Sequence, residues 1–61
     1  MWTVETYNNT ERIAKIENLT GSEAIRLGRV RHDQKAGRVY VFTPTFDAWL
    51  FRDNGLTRVG F

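Results

Sequence analysis

Side chains that could perform catalysis are few in this sequence. There is one serine, Ser22, one histidine, His32, and no cysteine. Ser22 belongs to a helix-start pattern and is interpreted as a capping residue. His32 is interpreted as a solvated turn residue, because its neighbour Asp33 points in another direction on a helix or a strand. Since a chain of 61 residues also has little room for a substrate pocket, the sequence predicts no enzymatic activity, no catalytic residue and no small-molecule substrate.

The composition also predicts that the chain binds neither a metal nor a cofactor. Structural zinc sites are built mainly from Cys and His, and one histidine without cysteine cannot supply such a ligand set. The absence of cysteine excludes disulfides and favours an intracellular, cytoplasmic protein. No stretch approaches the about 20 apolar residues of a membrane helix, so no membrane partner is expected.

Basic side chains are concentrated in the middle of the chain. Residues 26–38 carry a net charge of +4 from five basic residues and one aspartate, whereas residues 1–25 carry −2 from four glutamates and two basic residues. Arginine side chains suit phosphate and carboxylate groups alike. The segment is therefore either a binding surface or a solvated surface that the upstream glutamates partly neutralise. Its basic residues are Arg26, Arg29, Arg31, Lys35 and Arg38.

Aromatic residues form the second candidate for a binding surface. They are Trp2, Tyr7, Tyr40, Phe42, Phe46, Trp49, Phe51 and Phe61. A strand over 39–42 points Tyr40 and Phe42 to the side opposite its valines, so both of its faces are apolar. One short helix covers only one face of a small sheet, which leaves apolar surface for a partner. The alternatives are that the helix and the N-terminal segment cover both faces, or that 46–52 is a helix and no second cover is needed. The candidate partner-binding aromatics are Tyr40, Phe42, Trp49 and Phe51.

Local patterns in the first half of the chain predict the elements that position these residues. Residues 3–7 read as a strand that ends in the Asn-rich turn at 8–10. In the segment 11–19, isoleucines and a leucine recur every three residues, which suits one side of a helix but also an extended hairpin arm. Both interpretations of this segment stay open.

A helix is expected to begin at Thr20. Thr20 and Glu23 have the spacing of a capping box, in which each side chain bonds the other residue's backbone N–H. Basic residues follow towards the far end, with Gly37 as a stop. Gly28 argues against the helix, because an internal glycine costs roughly 1 kcal/mol relative to alanine. The alternative is a strand over 25–31, and the helix is favoured.

The residues around this helix start resemble the opening of helix-turn-helix proteins of the excisionase type. The resemblance rests on Leu19, Thr20, Glu23, Ala24 and Leu27. It covers about a dozen residues, and no recognition helix led by Ser or Thr follows before the strand at Val39. The pattern therefore indicates a capped helix more than a DNA-reading motif.

The second half of the chain reads as β-structure. Residues 39–42 form a strand that ends at Thr43-Pro44-Thr45. Residues 46–52 are either a further strand or a short helix capped at Thr45. The Asn54-Gly55 step favours a tight hairpin turn, with 56–61 as the returning strand.

These patterns together predict one small binding domain over residues 1–61. Its expected fold class is α+β, with a small antiparallel sheet of three to four strands packed against one capped helix. Its expected partner is another protein, occluded by an aromatic sheet face with an arginine rim in the manner of an inhibitor or adaptor. The alternatives are self-association and nucleic-acid binding, in which the basic segment contacts phosphates and sheet aromatics stack on bases.

Overall fold

The computed structural model describes residues 1–60 and contains one antiparallel sheet and one helix. The elements are β1 (Trp2–Asn8), β2 (Glu11–Leu19), α1 (Gly21–Asp33), β3 (Arg38–Phe42), β4 (Ala48–Arg52) and β5 (Gly55–Val59). The strand order is β2-β1-β3-β4-β5. The α+β class is confirmed, but the predicted count of three to four strands is wrong, because both undecided segments contain strands. Phe61, placed on the last strand by its sequence, lies outside the described residues.

The capping box at the start of α1 is formed as predicted. Thr20 Oγ1 accepts from the Glu23 backbone N–H at 3.2 Å, and Glu23 Oε1 accepts from the Thr20 backbone N–H at 2.9 Å. This helix excludes the alternative strand over 25–31. Gly37 is not the helix stop, since α1 ends at Asp33. The backbone of Gly37 is in the left-handed region and passes so close to the Tyr7 carbonyl that a Cβ would not fit there.

This cap makes part of the stability depend on pH. The hydrogen bonds from Thr20 hold the pKa of Glu23 below its ordinary value of 4.5. The cap therefore stabilises the fold above that pH, and this contribution disappears as the pH falls through the lowered pKa. We expect Glu23→Gln to flatten the acid limb of a urea-unfolding pH profile, whereas Glu11→Gln on exposed β2 should leave it unchanged. Identical profiles for both variants would contradict the cap assignment.

The threefold spacing of apolar residues in 11–19 comes from β-bulges and not from a helix. Strand β2 pairs with β1, with register shifts opposite Trp2/Val4 and opposite Thr6/Tyr7. Each shift inserts one extra residue into β2 and interrupts the twofold alternation of its side chains. Two bulges in one strand thus produce a spacing that imitates helical periodicity.

The hydrophobic core lies between α1 and one side of the sheet, which we call the helix face. Directly paired residues such as Val4 and Val41 point to this side, and the helix contributes Ala24. The buried core residues are Val4, Ala24, Val39, Val41 and Phe51. Trp2, Leu19, Leu27, Trp49 and Leu56 pack around them in partly buried positions. The helix therefore leaves the opposite side of the sheet uncovered.

One polar side chain, Thr6, is buried on the helix face of the core. Thr6 is 1% exposed, and its hydroxyl has no hydrogen-bond partner among residues 1–60. Valine has nearly the same shape without the unpaired hydroxyl, so Thr6→Val is expected to raise the free energy of unfolding by about 1 kcal/mol. Urea unfolding measures this change, with Thr3→Val on the other side of the sheet as the control. A loss of stability in Thr6→Val would show that the hydroxyl is satisfied.

Candidate functional site

Three aromatic rings form a continuous surface on the side of the sheet opposite α1, which we call the open face. The register places Tyr7, Tyr40 and Phe42, which we call the aromatic cluster, on this side of β1 and β3. The ring centroids of Tyr7 and Tyr40 are 5.6 Å apart at 88°, and those of Tyr40 and Phe42 are 6.4 Å apart at 31°. Leu50, paired with Tyr40, extends the surface onto β4. All four side chains are half-buried, so part of each stays accessible.

A carboxylate lies inside this apolar surface. Glu5 is paired with Tyr40, and its Oε1 accepts a hydrogen bond of 2.6 Å from the Tyr7 hydroxyl. This hydrogen bond is the main cause of a raised pKa of Tyr7, and partial desolvation is the next cause. The hydroxyl therefore stays protonated and donates. Arg12 Nη1 is 3.8 Å from the same oxygen. These residues line an open depression of about 650 Å³ together with Tyr40 and Phe42.

Basic side chains surround the carboxylate at the margin of the open face. They are Arg12, Lys15, Arg38 and Arg52, which we call the basic rim. Lys15 is already paired with Glu17 at 3.0 Å. The three arginines are exposed and stand on β2, β3 and β4. The open face therefore has a carboxylate among its aromatic side chains and basic residues along its margin.

The predicted basic segment does not form one surface. Only Arg38 lies on the open face, whereas Arg26 and Arg29 are exposed on α1 on the other side of the sheet. Arg31 is half-buried, with an Nε that has no partner in the described part of the chain, and Lys35 lies in the loop after α1. The segment runs from α1 through a loop into β3, so the linear cluster is divided between two layers.

The four predicted partner-binding aromatics are also divided between the two faces. Tyr40 and Phe42 are on the open face, but Trp49 is paired with Val41 on the helix face. Phe51, two residues after Trp49 on the same strand, also lies on the helix face. Phe51 is 4% exposed in the core, and the Arg29 guanidinium lies 5.8 Å from its ring centroid. No single face of the sheet therefore carries all four residues, because strand alternation separates them.

His32 is not the solvated turn residue that its sequence position suggested. It lies in the last turn of α1, half-buried, with its ring stacked on Phe51 at a centroid distance of 6.2 Å. Its Nε2 is 3.1 Å from Oδ1 of Asp53, an exposed residue in the turn between β4 and β5. The contact joins the end of the helix to the last hairpin.

Phe46 is an exposed aromatic residue that the sequence reasoning did not select. It was grouped with the apolar stretch 46–52, but strand β4 begins only at Ala48. Phe46 lies in the loop between β3 and β4, is 86% exposed and has a backbone φ of +65°. The preceding Thr43-Pro44-Thr45 signals a turn, yet no local rule predicts a phenylalanine in the left-handed region.

Neither a metal cluster nor a membrane span accompanies these features in residues 1–60. No three His, Cys, Asp or Glu side chains there are grouped so that they could hold a metal ion. No helix in the same range is long and apolar enough to cross a membrane. In comparisons with protein families, with curated proteins and with solved structures, the chain matched none of them.

Proposed function

We propose that the chain is a protein-binding module that occludes a surface of a larger protein, as an inhibitor or adaptor, through its open face. The observation that carries this proposal is the aromatic cluster, which spans adjacent strands and is left uncovered by the helix. Aromatic residues and arginine are the types enriched in the cores of protein interfaces. Both occur here on one side of the sheet.

The charge pattern of the open face supports a proposal for the chemistry of the partner. Tyr7 and Arg12 already contact Oε1 of Glu5, whose side chain is only 13% exposed, so its second carboxylate oxygen favours a hydrogen-bond donor or a cation on the partner when the face is covered. The basic rim in turn favours acidic side chains around that donor. The proposed partner surface is therefore apolar, with a basic or N–H group at its centre and acidic residues around it.

The same pattern favours a protein over nucleic acid. Single-stranded nucleic acid stacks its bases on sheet aromatics and needs basic groups along its backbone. Here a carboxylate occupies the middle of the face, and Arg26 and Arg29 lie on the other layer. A phosphate chain crossing the aromatic cluster would pass close to Glu5, which repels it.

The direct test removes two of the three rings of the aromatic cluster without touching the core. We expect the double variant Tyr40→Ser/Phe42→Ser to lose binding by at least about 30-fold, since large aromatics are typical interface hot spots. The matched control is Ile25→Ser/Val30→Ser, which removes two side chains that are 39% and 46% exposed on α1. Immobilised wild-type, variant and control chains are compared for the proteins they retain from host extract. The retained protein is then purified and titrated by calorimetry, and circular dichroism checks folding.

Two further measurements decide between the partner classes. A gel shift with a mixed-sequence single-stranded oligonucleotide at low and high salt tests phosphate-driven binding, which weakens steeply as salt rises. Sedimentation of the purified chain tests whether it binds a second copy of itself. The proposal is wrong if the double variant retains the same proteins as the wild type, or if only the oligonucleotide binds.

A further inference from the structure

Phe46 combines two features that do not help the stability of the free domain. Its ring is 86% exposed, so it adds little to the core, and its φ of +65° places a bulky residue in the left-handed region. Glycine or asparagine adopts this backbone conformation far more readily. Residues held in such strained backbone conformations are concentrated at functional sites. The position is therefore poorly suited to stability and well suited to contact with another molecule.

The loop that carries Phe46 is held by backbone hydrogen bonds. The Phe46 N–H donates to the Thr43 carbonyl at 2.9 Å, and the Thr43 N–H donates to the Asp47 carbonyl at 2.9 Å. The Asp47 N–H donates to Thr43 Oγ1 at 3.1 Å. These bonds close the loop on both sides of the exposed ring.

Side chains add a second set of contacts around Asp47. Thr45 Oγ1 donates to Asp47 Oδ2 at 3.0 Å, and Arg58 Nη2 of β5 donates to Asp47 Oδ1 at 2.9 Å. The loop is thus tied to the neighbouring strand as well as to itself. A preorganised loop loses little conformational entropy when it binds.

From this geometry we infer that Phe46 is a preformed anchor that inserts its ring into an apolar pocket of the partner protein. The inference rests on the proposed function, because the loop adjoins the proposed interface. It leaves β3 directly after Phe42 and enters β4 at Ala48, and these two residues are paired on the open face. The anchor therefore extends the aromatic cluster at the end of the sheet.

The surroundings of the ring favour a protein pocket over a lipid or nucleic-acid surface. Residues 43–47 contain no lysine or arginine. The basic group that reaches the loop, Arg58, is engaged by Asp47 at 2.9 Å. Anionic lipids and phosphates are attracted by free cations close to the inserted side chain. A single ring without such cations matches a hydrophobic pocket instead.

The test uses Phe46→Gly and measures stability and affinity together. Glycine relieves the backbone strain, so the melting temperature should stay the same or rise by up to about 5 °C. The dissociation constant for the purified partner from the retention experiment should rise by at least about 30-fold. Phe46→Leu keeps an apolar anchor and should weaken binding by less than about 10-fold. Ile13→Ser, which removes a side chain 52% exposed on edge strand β2, is the control and should bind normally.

The outcomes separate this inference from the proposed function. If Tyr40→Ser/Phe42→Ser abolishes binding and Phe46→Gly does not, the open face binds the partner and the anchor is wrong. If neither substitution affects binding, or no protein is retained, both proposals are wrong. A melting temperature lowered by more than about 5 °C in Phe46→Gly would mean that the ring packs on the domain. The inference would also be wrong if the chain bound anionic vesicles or the oligonucleotide through Phe46 in place of the protein.

Discussion

Gly28→Val is expected to lower the free energy of unfolding by about 3 kcal/mol, at the upper end of the usual cost of overpacking a core. Gly28 is a buried residue of α1 that faces the Phe51 ring. An added Cβ would lie 3.0 Å from Cδ2 and 3.1 Å from Cζ of Phe51, and closer still to Cε2. Since a domain of this size has a total stability of only about 3–9 kcal/mol, the variant should be largely unfolded in urea concentrations that the wild type tolerates.

Two companion variants connect this loss to Phe51. Gly60→Val is the control, because a Cβ at Gly60 meets nothing within 4 Å. Phe51→Leu removes the ring, so its combination with Gly28→Val should cost less than the sum of the two single changes, measured by urea unfolding. Strict additivity would show that the helix and the ring are not in contact. Gly28 thus lowers the helix propensity of α1, but its lack of a side chain lets α1 approach the sheet closely.

Trp49→Ser is expected to destabilise the protein by about 3 kcal/mol, the lower end of the range for removing a large aromatic side chain from a core. Trp49 is only partly buried, but it packs against the core on the helix face. Its neighbour Leu50 points to the open face, where it is paired with Tyr40. We expect Leu50→Ser to cost about 1 kcal/mol of stability, since it removes a half-buried side chain outside the core, and to weaken partner binding.

This pair of adjacent substitutions tests the assignment of the two faces. Thermal unfolding reports the stability of both variants, and calorimetry with the partner reports affinity for the variant that stays folded. The reverse order, with Leu50→Ser unfolded and Trp49→Ser folded but unable to bind, would place the working surface on the helix side. If Trp49 and Phe42 were both partner-binding residues, as the sequence predicts, serine at either position would leave the fold intact. The structure places Trp49 on the helix face and Phe42 on the open face, so only Phe42→Ser is still expected to leave the fold intact.

The candidate site could be predicted from the sequence only in part. Strand alternation correctly placed Tyr40 and Phe42 opposite the valines of β3. Glu5, Tyr7 and Arg12 were missed, because they come from β1 and β2 and reach the site only through strand pairing. Phe46 was missed for another reason: its exposure depends on where β4 begins and on hydrogen bonds within the loop.

Signals within a few residues of one another determined much of the fold from the sequence itself. The capping box at Thr20 and Glu23 needs only one helical turn, and the Asn54-Gly55 step needs only one hairpin turn. The run of β-branched and aromatic residues at 39–42 likewise predicts a strand without reference to the rest of the chain. Together they determined the α+β class, and the absence of cysteine by itself excluded disulfides.

Tertiary structure alone decided which residues share a surface. The bulges in β2 arise from its pairing with β1, so its periodicity was ambiguous until the register was known. The approach of α1 to Phe51 explains a glycine that looked unfavourable by local propensity. The basic residues at 26–38 formed a cluster along the chain, but folding divided them between two layers. Composition and periodicity are properties of neighbours in sequence, whereas a binding face is assembled from strand register and packing across the sheet.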